Sequence, residues 1–182
     1  MNKIISLVVL FLLFPIFLII GILILIEDYY PIFFFQKRIG LNNRTFKIIK
    51  FRSMKKSTPD VATDLLENPE NYILKLGKLI RKLSLDELPN LINILKGDMN
   101  FIGPRPALPS QIELNLKREQ LGIHKLKPGI TGWAQINGRD EISIDKKVEL
   151  DYYYLQNKSF LLDLKIIFLT FFKVFKKSNI SH

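Results

Sequence analysis

An adjacent pair of carboxylates, Asp86 and Glu87, is the first candidate for chemistry in this sequence. Ser84 stands three residues before Glu87, which is the spacing of a capping box and predicts that both acids lie in the first turn of a helix. Acids at such a place commonly do no more than interact with the helix dipole. The same place also keeps a carboxylate ionised for nucleophilic attack, offers backbone donors to an anion and leaves the second carboxylate for Mg²⁺. The local pattern leaves capping and phosphate chemistry both open.

Three arginines, Arg52, Arg81 and Arg105, form the second group of candidates. Each adjoins apolar or rigid sequence, and none lies in a long basic run. A lone arginine is usually a solvated surface residue. Arg105 differs, because Pro104 and Pro106 restrict the backbone on both sides and so set its direction. A planar guanidinium that is held in this way suits bidentate binding of phosphate.

The composition excludes several other kinds of site. The 182 residues include no cysteine and only two histidines, so thiolate nucleophiles, cysteine-ligated metals and multi-histidine metal sites are excluded. The sequence has no Walker A loop, no G-x-G-x-x-G, no Gly-x-Ser-x-Gly and no Asp-x-Asp. The net charge of +10 would suit nucleic acid. Because the basic residues accompany an apolar segment, anionic lipid headgroups explain this charge more simply.

The elements that must position these residues begin with an uncharged, mostly apolar run of 23 residues from Ile4 to Ile26. As a helix it would reach roughly 34 Å and cross a hydrocarbon core of ~30 Å. It is too long for the apolar region of a cleavable signal peptide. Pro15 lies near its centre and predicts a kink, so a straight spanning helix and a re-entrant helix that returns to the same face both remain open. All but one of the 27 Lys and Arg residues follow this run, which predicts that the main domain is cytoplasmic.

The remaining chain predicts an α/β domain that is mostly helical, with a small strand element. Residues 31–56 are typical of a strand pair with a turn at Asn42 and Asn43, and helices are predicted over 71–83, from Ser84 to Lys96, over 110–123 and over 143–156. Segments 57–70 and 126–139 are predicted loops. Residues 158–177 predict a basic amphipathic helix, which would lie in the membrane interface or pack as an ordinary core helix.

Five segments, taken in order, resemble the bacterial sugar transferase family, the small monotopic polyprenol-phosphate phosphoglycosyl transferases. They are TFKIIKFRSM (45–54), LSLDELPNLINILKGDMNFIGPRPALP (83–109), KPGITGWAQINGR (127–139), ELDYYY (149–154) and FLLDLKIIFLT (160–170). The resemblance extends over residues 31–176, and it is the combination of motifs that makes it specific.

The resemblance implies an activity and a set of site residues. Such enzymes transfer a phospho-sugar from a UDP-sugar to undecaprenyl phosphate, releasing UMP and forming an undecaprenyl-diphosphate sugar, the initiating membrane step of glycan biosynthesis. Asp86 matches the nucleophile that forms an aspartyl phospho-sugar intermediate, and Glu87 matches the acid that holds Mg²⁺. Arg105, Arg81 and Arg52 match positions that bind the substrate phosphates. Sugar specificity is expected in the loops around 57–70 and 126–142.

The resemblance also implies a membrane arrangement. Residues 1–28 would form a re-entrant helix broken at Pro15, and residues 29–182 a catalytic domain with interfacial amphipathic helices on the cytoplasmic face of the bacterial inner membrane. Phe14 stands where the family has a serine before this proline. Membrane lipids and downstream glycosyltransferases are the further partners expected, and nucleic acid is not. The alternatives are an inactive membrane scaffold, against which the intact Asp86, Glu87 and Arg105 argue, and a module that binds nucleic acid or anionic lipid through its charge.

Overall fold

The computed structural model describes residues 2–59, 67–138 and 142–176. Its elements are α1 (Asn2–Asp28), β1 (Phe33–Ile39), β2 (Thr45–Phe51), α2 (Lys75–Lys82), α3 (Asn90–Lys96), β3 (Asn100–Ile102), α4 (Ile112–Gln120), β4 (Gly129–Thr131), α5 (Trp133–Asn137), α6 (Ile144–Asn157) and α7 (Phe160–Lys176). Helices dominate and the strands form two small sheets, which confirms the predicted fold class. The helices predicted over 110–123 and 143–156 are present as α4 and α6, and the one predicted over 71–83 begins later, at Lys75.

The first sheet is the antiparallel pair β1 and β2, as predicted for residues 31–56. Its register places Phe33 opposite Phe51, and the two rings stack with their centroids 5.4 Å apart. The connection turns at Asn42 and Asn43, whose φ angles of 52° and 58° are left-handed. Asparagine adopts this conformation more readily than most residues, which is why the turn forms at these two positions.

The second sheet is the short parallel pair β3 and β4, with Asn100 opposite Gly129. The two backbone segments approach so closely that a Cβ atom on Gly129 would lie 2.2 Å from the backbone nitrogen of Gly103. The predicted loop 126–139 was therefore wrong in part, since it contains β4 and α5. Elements of three and five residues are too short for hydrophobic periodicity to reveal. Residue 139 lies outside the described residues, as do residues 60–66 of the other predicted loop.

Buried side chains form four clusters that join these elements. The clusters are Ile20, Ile24, Phe51 and Ile80; Ile48, Leu91, Ile94 and Met99; Ala107, Leu114, Ile123 and Val148; and Ile136, Tyr154 and Ile166. The first two clusters hold α1 against β2, α2 and α3, and the last two hold the C-terminal helices together.

The long helix α1 is attached to the same domain at both of its ends. Near its start, the Ser6 hydroxyl donates to the Leu91 carbonyl at 2.8 Å, and Asn2 bonds to Asn100 at 3.1 Å. At its end, the Glu27 carboxylate accepts from two backbone N–H groups at the start of α2. A helix of 27 residues is about 40 Å long, so α1 lies along the domain instead of projecting away from it.

The helix runs through Pro15 without interruption, so the break predicted at this residue is not present. Proline removes one backbone donor, whereas the hydrogen bonds of the flanking turns remain. Both halves are also held by the domain, through Leu10 and Leu13 before the proline and Ile20 after it. Within the described residues, α1 is the one helix long and apolar enough to cross a membrane. Most of its apolar side chains are exposed, among them Phe11 at 81%.

The predicted capping box at Ser84 was wrong. Ser84 has a left-handed φ of 57°, and its hydroxyl caps nothing. Residues Leu85–Glu87 form a separate 3₁₀ turn, and α3 begins three residues later, after Pro89. Because the left-handed serine redirects the chain between α2 and the turn, both acids precede the helix instead of opening it. The predicted end is confirmed: α3 stops at Lys96, and Gly97 follows with φ of 92°.

The last helix, α7, packs through its narrower and more polar side. Ile166 is fully buried, Asp163 accepts a hydrogen bond from the Tyr154 hydroxyl at 2.8 Å, and the hydroxyls of Thr170 and Thr131 are 2.7 Å apart. The opposite side is apolar and exposed, and comprises Phe160, Leu161, Leu164, Ile167, Phe168, Phe171 and Phe172. An ordinary core helix would bury these side chains, so the arrangement favours the interfacial interpretation.

Candidate active site

The two candidate acids lie on the 3₁₀ turn between α2 and α3. Leu85 and Leu88, on either side of the acids, pack against the buried cluster around Phe51. These two anchors hold the turn beside β2, and Asp86 and Glu87 lie between them. The apolar residues of the motif therefore fix the backbone on which the carboxylates stand.

Glu87 is the centre of a small ionic network. Its Oε1 accepts from Lys50 Nζ at 2.7 Å and from the Arg105 guanidinium at 3.3 Å. The Glu87 side chain is only 12% exposed, and Lys50 is 16% exposed, so water screens this pair weakly. Two cations from distant parts of the chain thus converge on one carboxylate.

Asp86 has a strongly perturbed acidity. Burial raises the pKa of Asp86 to about 6, because desolvation disfavours the charged carboxylate. Lys50, Arg81 and Arg105 oppose this effect and lower the pKa of Asp86, while the neighbouring charge of Glu87 raises it further. A carboxylate in such surroundings is ionised at neutral pH and weakly solvated, which are the properties of an effective nucleophile.

Arg105 is carried by a rigid loop that follows β3. The Gly103 N–H donates to the Thr131 carbonyl at 2.9 Å, and the Pro104 carbonyl accepts from the Gly129 N–H at 3.0 Å. This loop is therefore fixed to β4 immediately before the arginine. The Arg105 side chain is 31% exposed, so its guanidinium reaches Glu87 while keeping access to solvent.

The structure brings four of the five predicted site residues together and places the fifth elsewhere. Asp86, Glu87, Arg81 and Arg105 share one electrostatic environment. Arg52 is buried and is bound at the end of α1, where its Nε donates to the Pro31 carbonyl at 2.6 Å and its other nitrogens donate to the Asp28 side chain and to two backbone carbonyls. In this arrangement Arg52 fastens α1 to the end of β2.

Sequence reasoning missed Lys50 as a member of the site, although it stands two residues from Arg52. The available signal was a charged residue inside the apolar strand sequence TFKIIKF, directly before Phe51. Asn90 was also missed. It is 1% exposed, its Oδ1 has no hydrogen-bond partner among the described residues, and it lines a small pocket together with Lys50, Glu87 and Arg105.

The side chains at this site suit a divalent cation such as Mg²⁺ only when a phosphate ligand completes its coordination. Among the described residues, no group of three or more His, Asp and Glu side chains could hold a metal ion. Asp86 and Glu87 supply two carboxylates, and Mg²⁺ is typically bound by one or two carboxylates together with substrate phosphates and water. The residues present therefore suit Mg²⁺ delivered with, or completed by, a phosphate ligand.

The arrangement as a whole suits substitution at a phosphorus atom. It combines a desolvated carboxylate, a second carboxylate and three cationic side chains that attract anions, namely Lys50, Arg81 and Arg105. Phosphoryl transfer depends mainly on positioning and on stabilising negative charge, and this group of side chains provides for both.

Comparison with known proteins places these features in a family. The family model described as bacterial sugar transferase matches residues 1–177. The uncharacterized sugar transferase EpsL of Bacillus subtilis (strain 168) is 51% identical over 150 residues, covering 82% of this chain and 73% of EpsL. The UDP-glucose:undecaprenyl-phosphate glucose-1-phosphate transferase of Escherichia coli (strain K12) is 39% identical over 182 residues, covering 96% of this chain and 39% of that protein.

A third relative carries a different sugar in its name. The UDP-N-acetylgalactosamine-undecaprenyl-phosphate N-acetylgalactosaminephosphotransferase of Aeromonas hydrophila is 39% identical over 162 residues, covering 86% of this chain. The chain spans 38% of that protein, and thus less than two fifths of either relative named for a specific sugar. The similarity therefore extends over nearly all of this chain and over only part of these longer relatives.

Proposed function

Because this chain belongs to the bacterial sugar transferase family, we propose that it transfers a phospho-sugar from a UDP-sugar to undecaprenyl phosphate. The products are UMP and an undecaprenyl-diphosphate sugar, on which a glycan is then assembled. Two relatives whose names state this type of transfer match 86% and 96% of the chain and support the proposal. Their names differ in the sugar, so the proposal extends to the class of donor and not to one sugar.

The observation that carries the proposal is the ionisable, desolvated Asp86 beside three cationic side chains. In the first step an Asp86 carboxylate oxygen attacks the sugar-linked phosphorus, the bond from that phosphorus to the bridging oxygen breaks, and UMP leaves with the electron pair. In the second step a phosphate oxygen of undecaprenyl phosphate attacks the same phosphorus, and the Asp86 carboxylate leaves. Each step forms one phosphorus–oxygen bond and breaks one, and the carboxylate is regenerated.

The cationic residues make these steps possible between anions. Direct attack of one phosphate on another would bring like charges together, whereas a covalent intermediate separates the two phosphates in time. Arg105 and Arg81 bind the donor phosphates, and Lys50 neutralises Glu87 and lowers the pKa of Asp86. Arg52, whose donors are occupied at the end of α1, is a support of the fold in this proposal.

Mg²⁺ is the cofactor in this proposal, and Glu87 is the residue that would hold it, next to the carboxylate of Asp86. When bound, the ion neutralises charge on the diphosphate of the donor. The polypeptide contributes the two carboxylates and the surrounding cations that orient the phosphates.

The exposed apolar sides of α1 and α7 support association with a membrane. Phe11 on α1 and Phe168 on α7 are 81% and 62% exposed, and both lie among other exposed apolar residues. Burial of such surfaces in lipid is strongly favourable. Since both ends of α1 are bonded to the same domain, we place that domain on one side of the bilayer, with the cytoplasmic face favoured by its positive charge.

The proposal is tested by identifying the nucleotide that is released. Purified protein is incubated with Mg²⁺, undecaprenyl phosphate in lipid nanodiscs and a panel of UDP-sugars. Release of UMP is expected, and release of UDP instead would refute the phospho-sugar transfer. The Asp86→Asn variant, which keeps size and shape, is expected to fold normally and to release no UMP. Normal UMP release by this variant would refute the assignment of the nucleophile.

A further inference from the structure

The backbone that carries Arg105 is held by a buried ion pair distant from it in the sequence. Arg118 of α4 and Asp151 of α6 are 8% and 1% exposed. Asp151 Oδ2 accepts from Arg118 Nε at 3.0 Å and from a terminal nitrogen at 2.6 Å. The remaining terminal nitrogen of Arg118 donates to the backbone carbonyl of Arg105 at 2.9 Å. One guanidinium therefore joins a buried carboxylate to the residue proposed to bind phosphate.

This bond is one of four that hold consecutive carbonyls of the loop. The Pro104 carbonyl accepts from the Gly129 N–H, the Pro106 carbonyl from the Arg38 side chain at 3.2 Å, and the Ala107 carbonyl from the Ile39 N–H at 2.9 Å. Each donor belongs to a different residue, and together they come from β1, α4 and β4. The orientation of every peptide group from 104 to 107 is thereby set by tertiary contacts.

We propose that Arg118, held by Asp151, is a positioning residue that directs the Arg105 guanidinium toward the phosphate site. The proposal rests on the proposed function for the role of Arg105. The ring of Pro106 restricts the backbone of Arg105 to extended conformations, within which φ and ψ still vary by tens of degrees. The bond from Arg118 to the Arg105 carbonyl selects one orientation within this range, and with it the direction in which the Arg105 side chain leaves the backbone.

The geometry distinguishes this role from simple docking of α4 on α6. A second ion pair, between Lys117 and Asp145, also joins the two helices, but it lies at the surface and has no bond to the loop. Arg118 differs in directing one nitrogen away from its partner carboxylate and onto Arg105. Asp151 neutralises the charge of the buried Arg118 guanidinium. The guanidinium can therefore also donate a hydrogen bond to an uncharged carbonyl inside the protein.

The test is a double-mutant cycle on single-turnover UMP release. Arg118→Lys keeps the positive charge beside Asp151 but replaces the planar guanidinium by an ammonium group. The lysine can therefore no longer donate to Asp151 and to the Arg105 carbonyl at the same time. Misplacing a binding group by about 1 Å costs about 100-fold, and we expect a loss of about 10- to 100-fold with a raised KM for the UDP-sugar. In the Arg105→Ala background, Arg118→Lys is expected to change the rate by less than about twofold, because the group that it positions is gone.

The matched control is Lys117→Met, which removes the surface ion pair between α4 and α6 and leaves the loop around Arg105 untouched. The fold-change in rate that this control causes is expected to be the same in the wild-type and in the Arg105→Ala background. Wild-type behaviour of Arg118→Lys, or independent losses for Arg118→Lys and Arg105→Ala, would overturn the positioning role. If Arg118→Lys does not fold, the paired replacement of Arg118→Met with Asp151→Leu, which leaves no unpaired buried charge, takes its place in the same cycle.

A second readout separates this proposal from the proposed function. The same cycle is measured by calorimetry on binding of the UDP-sugar, which requires no turnover. Coupling between Arg118 and Arg105 in binding supports the positioning role even where no UMP is released, and additive losses in binding overturn it. Failure of the wild-type protein to release UMP bears on the proposed function alone.

Discussion

The acidity of Asp86 makes the first half-reaction dependent on pH in a defined direction. The nucleophile has to be ionised, and burial raises the pKa of Asp86 to about 6. The rate is therefore expected to rise as the pH increases through this value and to be lost as the carboxylate is protonated below it. At about pH 7 roughly ten elevenths of the carboxylate is ionised and at about pH 5 roughly one eleventh, so a rate difference of about tenfold is expected.

The assay is single-turnover UMP release without lipid acceptor, because the acceptor phosphate titrates in the same range. The perturbation that assigns the pH dependence to Asp86 is Lys50→Met. Lys50 has the largest effect among the groups that lower the pKa of Asp86. Its removal is therefore expected to move the ascending limb of the pH–rate profile to higher pH. Lys47→Met is the matched control, since Lys47 is an exposed lysine on the same strand, and it is expected to leave the limb in place.

Two results would refute this reasoning. An ascending limb near the ordinary value for aspartate, with a change of less than about 10% between about pH 5 and pH 7, would mean that Asp86 is not desolvated in the working enzyme. A limb near the expected pH that does not move in Lys50→Met would mean that another group controls the step.

Three further outcomes are expected. Arg52→Gln should lower the free energy of unfolding by about 2–3 kcal/mol, since the buried guanidinium donates to three partly buried carbonyls at the end of α1. Thermal unfolding in detergent measures this, and an unchanged melting temperature with lost UMP release would favour a role in binding substrate. Gly129→Ala should destabilise the protein, because its Cβ would lie 2.2 Å from the backbone nitrogen of Gly103, directly after β3, whereas Gly21→Ala, with 3.6 Å to its nearest neighbour, should not. Equal melting temperatures of the two variants would contradict this close backbone contact. The single tryptophan, Trp133, has Lys165 of α7 over its ring at 5.4 Å and should be quenched by lipids brominated near the headgroup if the exposed side of α7 enters the interface; absence of quenching in nanodiscs would argue against that placement.

The sequence was informative wherever short-range patterns determine structure. The antiparallel strands around Asn42 and Asn43, the end of α3 at Gly97 and the helices α4 and α6 all follow from turn residues and hydrophobic periodicity, and the structure has them near the predicted places. The local rule failed at Ser84, where a capping-box spacing coincides with a left-handed residue. The spacing of Ser84 and Glu87 does not encode the backbone angle that decides between these outcomes.

The sequence by itself determined which groups are available for chemistry: a carboxylate pair, an arginine between prolines and no cysteine. Tertiary structure alone decided which of them meet. Lys50 reaches Glu87 across 37 residues and Arg118 reaches Asp151 across 33, while Arg52, two positions from Lys50, is drawn to the end of α1. The physical reason is that local periodicity specifies which side of an element is apolar, whereas the partner of a buried charge depends on which elements pack together and in what register.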